Sequence, residues 1–138
     1  MISKRNSLVL CILLIVILNG ISFSPVLEGN FLNWDDEENV VFAENLRKSP
    51  LRIIGWVFTD FTVGDFKPLA WISYVFDYNF WRLNPVGYHL GNLLLHCASA
   101  VTVFFLFLAQ GRRFTKNGDG AIAPALIAAL FFSLSPLR

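Results

Sequence analysis

Four consecutive carboxylates, Asp35, Asp36, Glu37 and Glu38, follow Asn33 and Trp34 in a chain of 138 residues that is otherwise strongly apolar. An ionised carboxylate only accepts hydrogen bonds, so it can orient a hydroxyl and take its proton, and it does so best when its surroundings lift its pKa toward the working pH. Crowding works in that direction, because like charges resist ionising together. The same residue types also suit an exposed helix N-terminus, where acids interact favourably with the helix dipole. Four clustered acids could also hold a divalent ion, but sequence gives no coordination geometry, so a metal stays undetermined.

A second group of polar residues recurs further along the chain. His89, Asn92, His96 and Ser99 are spaced by three, four and three residues, which puts them on one side of a helix. Inside a membrane such a stripe should face protein, packing helices together or lining a wet cavity. His89, near the outer end, is a candidate for a substrate pocket. The two histidines lack a nearby third ligand and make a weak metal signal.

The elements that must position these residues follow from composition. The chain is 55% hydrophobic and 15% charged, against roughly a quarter charged in soluble domains. Its apolar residues gather in blocks with the charges between them. A net charge of +1 with no basic face argues against a nucleic-acid partner. Cys11 and Cys97 both fall in apolar blocks, where they serve as small hydrophobes.

The blocks predict an all-α membrane protein with about three transmembrane helices. The first span is residues 7–27, uncleaved because the small-residue cleavage pattern is poor. An external loop follows over 28–87, then a second span over 88–109, a basic loop over 110–120 and a third, shortened span over 121–134. Lys4 and Arg5, with Arg112, Arg113 and Lys116, place the N-terminus in the cytoplasm and the acid-bearing loop outside. That location is the inner membrane in a bacterium and the endoplasmic reticulum in a eukaryote.

A loop this long should carry short helices lying on the membrane surface. One is expected from Ser49, as cap, to Phe61, with Leu51, Ile54, Val57, Phe58 and Phe61 on one face and Gly64 as its stop. The other is expected over residues 68–81. There Leu69, Ile72, Val75, Phe76 and Phe80 form an apolar stripe opposite Ser73 and Asp77.

Three segments taken together resemble a known family: Asn33-Trp34-Asp35-Asp36; Phe66-Lys67-Pro68-Leu69-Ala70-Trp71; and Asn84-Pro85-Val86-Gly87-Tyr88-His89-Leu90, followed by Asn92 and Leu94-Leu95-His96. Their order is similar to the N-terminal part of membrane O-mannosyltransferase-like proteins bearing tetratricopeptide repeats, a class of polytopic glycosyltransferases that use lipid-phosphate sugars. Lys67 stands where that family commonly has Arg, and Ser135-Pro136 where it commonly has His-Pro.

The resemblance implies transfer of mannose or a similar hexose from a polyprenyl or dolichyl phosphate to a Ser/Thr hydroxyl of a protein acceptor. Asp35 or Asp36 would be the catalytic base. Lys67 would face the lipid phosphate, with Arg52 or Arg82 as weaker candidates, and His89 would bind substrate. No cofactor is implied beyond the donor lipid. The family continues into further spans and repeats, so the chain reads as part of a larger bundle, inactive alone. The rival expectation is a non-catalytic multi-pass protein whose external loop docks a partner.

Overall fold

The computed structural model of the protein describes residues 4–32, 36–41, 44–47, 50–59, 66–114 and 119–135. Among them there is helix and turn but no strand. The helices are α1 (Lys4–Phe23), α2 (Pro50–Val57), α3 (Pro68–Trp81), α4 (Pro85–Arg112) and α5 (Ile122–Leu134). The chain divides into two compact units, Met1–Pro25 with Asn92–Arg138, and Val26–Gly91.

In the first unit α1, the later part of α4 and α5 share one core. The buried positions recur at helical spacing: Ile15 and Asn19 on α1; Ala100, Phe104 and Leu108 on α4; Ala125, Ala129 and Ser133 on α5, continuing from Ala121. Alanine at every fourth position of α5 removes side-chain bulk from that face, so neighbouring backbones can approach closely, a packing mode common in membranes. A methyl added at Gly111 would lie 2.9 Å from the Cβ of Ala121.

Polar side chains close the same interface. Asn19 Nδ2 donates to the Ile15 carbonyl at 2.8 Å and to Ser133 Oγ at 3.0 Å. His96 Nε2 lies 3.1 Å from the Ser133 carbonyl. A carbonyl only accepts, so Nε2 carries the hydrogen and satisfies a backbone oxygen in the last turn of α5. The His96 ring also meets Phe23 edge to face at 5.0 Å.

The predicted polar stripe is therefore only partly turned inward. His96 is half-buried, whereas Asn92 and Ser99 are exposed, and Ser99 Oγ donates back to the Leu95 carbonyl of its own helix. The face through Ala100, Phe104 and Leu108 takes the packing, against the small side chains of Ala121, Ala125 and Ala129.

Outward-facing positions in this unit are apolar too, among them Leu13, Ile17 and Ile21 of α1 and Leu95, Leu106 and Phe107 of α4. Two helical stretches, Lys4–Glu28 and Pro85–Arg112, are long and apolar enough to cross a membrane. The 13 residues of α5 rise about 20 Å, short of the roughly 30 Å of a hydrocarbon core.

In the second unit Leu46, Ile53, Val57 and Trp71 form the core, flanked by Trp56, Tyr74, Val75 and Tyr78. Trp56 and Trp71 pack with ring centroids 4.6 Å apart, and Tyr74 meets Trp71 edge to face. α3 spans the residues expected of it, but the face it buries differs. The side through Trp71, Tyr74 and Tyr78 packs inward, and Leu69, Ile72, Phe76 and Phe80 of the expected stripe are exposed. Val75 alone of the expected stripe packs against this core, beside the Trp71, Tyr74 and Tyr78 rings.

α2 ends at Val57, earlier than expected, and Phe58 is exposed rather than part of a buried face. Thr59 closes it, its N–H donating to the Trp56 carbonyl and its hydroxyl to the Gly55 carbonyl. Ser49, Phe61, Gly64 and the side chains of Leu51, Arg52 and Ile54 lie outside the described residues.

Gly111→Ala should lower the stability of the folded protein by about 1–3 kcal/mol, because Ala121 can yield only by moving the start of α5. Thermal denaturation followed by circular dichroism checks it.

Candidate functional site

Within the second unit, the turn joining α3 to α4 organises the residues singled out for chemistry. α3 stops at Trp81, and the Asn84 N–H donates to the Trp81 carbonyl at 3.0 Å across Arg82 and Leu83. Arg82 has φ 55° and ψ −121°, the first central position of a type II′ turn, a conformation normally left to glycine. Three contacts hold it there. Its N–H donates to the Tyr78 carbonyl at 3.0 Å, its carbonyl accepts the Tyr88 hydroxyl at 2.8 Å, and its guanidinium lies 5.4 Å from the Tyr78 ring centre.

α4 starts cleanly from this turn. The Asn84 carboxamide oxygen accepts from the Val86 N–H at 3.2 Å, as a capping side chain does, and Pro85 occupies the first helical position, where no N–H is needed. Gly87 faces the Trp81 indole so closely that any side chain there would collide with the ring.

Tyr88 and His89 then present their rings to residues 29–32. Tyr88 is only 5% exposed and meets Phe31 edge to face at 5.3 Å. Gly29 lies against His89; a Cβ added there would sit 3.3 Å from His89 Nε2 and 3.1 Å from the Val26 carbonyl oxygen. His89 is half-buried, and its Nε2 atom is buried without a hydrogen-bond partner.

The same stretch carries Asp36, whose Oδ2 accepts the Leu32 N–H at 3.0 Å. Asp36 is half-buried and begins the short helical turn that continues as Glu37–Val41. Residues 29–32 thus connect Asp36 and His89. One carboxylate oxygen of Asp36 is occupied, and a buried imidazole nitrogen of His89 is open to a bond.

Lys67 is placed elsewhere. It precedes α3, its carbonyl accepting the Trp71 N–H at 3.1 Å and its ammonium lying 5.6 Å from the Trp71 ring centre. The full length of α3, about 20 Å, separates it from the turn at Arg82. Asp35 lies outside the described residues. Among the described residues no group of three or more His, Cys, Asp or Glu could hold a metal ion.

Three participants had no part in the sequence-based site. Tyr88 as a lock on the Arg82 carbonyl, Gly29 as a seat for His89 and Gly87 as clearance for Trp81 depend on pairings between elements. The Asn84-Pro85 start of α4 did carry a local signal, a capping residue followed by proline. The turn at Arg82 carried none, since arginine does not mark a left-handed position.

Asp77 faces the first turns of α4, and a Cβ at Gly91 would lie 3.4 Å from one of its carboxylate oxygens. Partial burial pushes its carboxyl above the usual carboxylate range. A folded-state pKa above the unfolded one means that the group contributes most to stability below the unfolded value near 3.8 and loses that contribution as pH rises through the folded value. Asp77→Asn should therefore flatten the acid limb of the stability–pH curve above that value, as read by denaturation midpoints across pH.

At the turn itself, Arg82→Gly relieves a backbone strain of about 1–3 kcal/mol but loses the guanidinium contact and gains unfolded-chain freedom. Arg82→Ala keeps the strain and loses the contact. The expected order of unfolding midpoints is Gly, then Arg, then Ala. The chain matches no protein-family model, no curated protein and no solved structure.

Proposed function

We propose that the chain is the N-terminal membrane portion of a glycosyltransferase that moves a hexose, mannose or a similar sugar, from a polyprenyl or dolichyl phosphate to a protein Ser/Thr hydroxyl. The observation that carries this reading is the attachment of Asp36 and His89 to the one stretch 29–32, between two helices of membrane-spanning length. The acid and the imidazole belong to two of the segments on which the family resemblance rests.

In this reading α1 and α4 are spans, α5 begins a third in a larger bundle, and the basic residues at 4–5 and 112–116 lie in the cytoplasm. The segment between α1 and α4 faces outward. Asp35 or Asp36 takes the proton of the acceptor hydroxyl as its oxygen attacks the anomeric carbon. The bond from that carbon to the phosphate oxygen breaks, and the lipid phosphate leaves with the electron pair. A cation offsets the charge on the leaving phosphate. The resemblance gives that role to Lys67, which stands the length of α3 away from the turn leading to His89, and Arg82 on that turn is the nearer candidate. The His89 imidazole donates or accepts a hydrogen bond to the sugar.

A second reading, a non-catalytic multi-pass protein whose outer segment docks a partner, is favoured by one fact. The Asp36 carboxylate already serves its own turn by holding the Leu32 N–H.

The two readings separate in the full-length protein. Asp35→Asn and Asp36→Asn, made singly, should leave the protein folded, and at least one should reduce transfer from a lipid-phosphate sugar to a Ser/Thr peptide by about 10²–10⁴-fold. Normal transfer by both variants overturns the assignment of the base. No transfer by the unsubstituted full-length protein with any lipid-phosphate hexose favours the docking reading.

A further inference from the structure

The face that α3 leaves uncovered is continuous and apolar. Leu69 is 80% exposed, Phe76 62% and Phe80 70%, with Ile72 and, past the turn, Leu83 also exposed. Spacings of three and four residues put Leu69, Ile72, Phe76 and Phe80 on one side of α3, away from the Trp71, Tyr74 and Tyr78 side that packs on α2. An apolar stripe of this length on a water-facing helix is unfavourable unless something covers it.

The turn dictates what lies within reach. Only residues 82–84 separate α3 from α4, a connection that extends at most about 14 Å even when straight, and here it is folded into a turn. α4 is long and apolar enough to cross a membrane. The Phe80 end of the stripe is therefore held close to the first residues of α4. Lys67 and Arg82 bracket the stripe, each with its cation on an aromatic ring, and the half-exposed indole of Trp81 sits at the α4 end. The rings beneath the two cations, Trp71 and Tyr78, lie on the side opposite the stripe, so the cations sit off the apolar face, at the level where headgroups lie when that face enters the acyl region.

We infer that α3 is a lipid-docked helix whose Leu69, Ile72, Phe76 and Phe80 face enters the surface of the bilayer that α4 crosses, with Lys67 and Arg82 at headgroup level. The α2 side, carrying the aromatic core, points away from lipid. The inference rests on α4 being a span and is independent of any enzymatic activity.

Nitroxide accessibility tests both parts at once. The full chain, with Cys11 and Cys97 replaced by Ala, is reconstituted in bilayers of phosphatidylcholine and phosphatidylglycerol. It carries one label at a time, at Phe76→Cys on the stripe, Leu106→Cys on the exposed side of α4, or Glu44→Cys. Glu44 is an exposed residue on the turn that carries Leu46 into the aromatic core. Leu69→Cys substitutes for Phe76→Cys if that variant misfolds; both sites are exposed, so neither change removes buried packing.

The expected result is that oxygen collides more often than a water-soluble nickel chelate at Phe76 and Leu106, with the order reversed at Glu44. Nickel dominating at Phe76 while oxygen dominates at Leu106 overturns the docking of α3 and leaves the span intact. Nickel dominating at Leu106 overturns the span and the inference together. A Phe76 label shielded from both reagents means that protein covers the stripe, and dipolar broadening between labels would identify a second copy; either overturns the inference.

Discussion

The second unit depends on a phenol hydroxyl given to a backbone carbonyl. Tyr88 donates to Arg82, and that bond holds a residue with a full side chain in a conformation suited to glycine. A buried hydroxyl without a partner costs about 1–3 kcal/mol, comparable to the strain in the turn, so each defect is stabilised by the other. The turn sets how α3 meets the first turns of α4, and through Tyr88 and His89 it sets where residues 29–32 can lie. Asp36 is attached at the end of that sequence of contacts.

The first unit solves a different problem by different means. Its helices have little polar surface to distinguish inside from outside, so area alone does not choose the packing face. Size does. Ala121, Ala125 and Ala129 mark the face of α5 that permits the closest approach, and Asn19, Ser133 and His96 add directional bonds at the end of that face. Such directional bonds select one register among several with similar dispersion energy.

Exposure on α3 shows why apolar residues do not by themselves identify a core. The stripe Leu69, Ile72, Phe76 and Phe80 has the periodicity of a buried face and is not buried. Trp71, Tyr74 and Tyr78 were taken up by Trp56 and its neighbours, which left the side with Leu69, Ile72, Phe76 and Phe80 open. One helix thus carries two apolar faces, one turned to its own unit and one exposed.

Local periodicity, proline placement and block length were enough to set the helical class, the two long apolar segments and the bounds of α3. The sequence also marked Asp36 and His89 as residues able to do chemistry. Tertiary structure alone decided that both attach to residues 29–32, that Lys67 lies at the far end of α3, and that Arg82 rather than a glycine makes the turn. It likewise chose which apolar face of α3 is covered. Those outcomes depend on which ring fills which gap and which donor reaches which carbonyl, and such pairings exist only once distant segments have met.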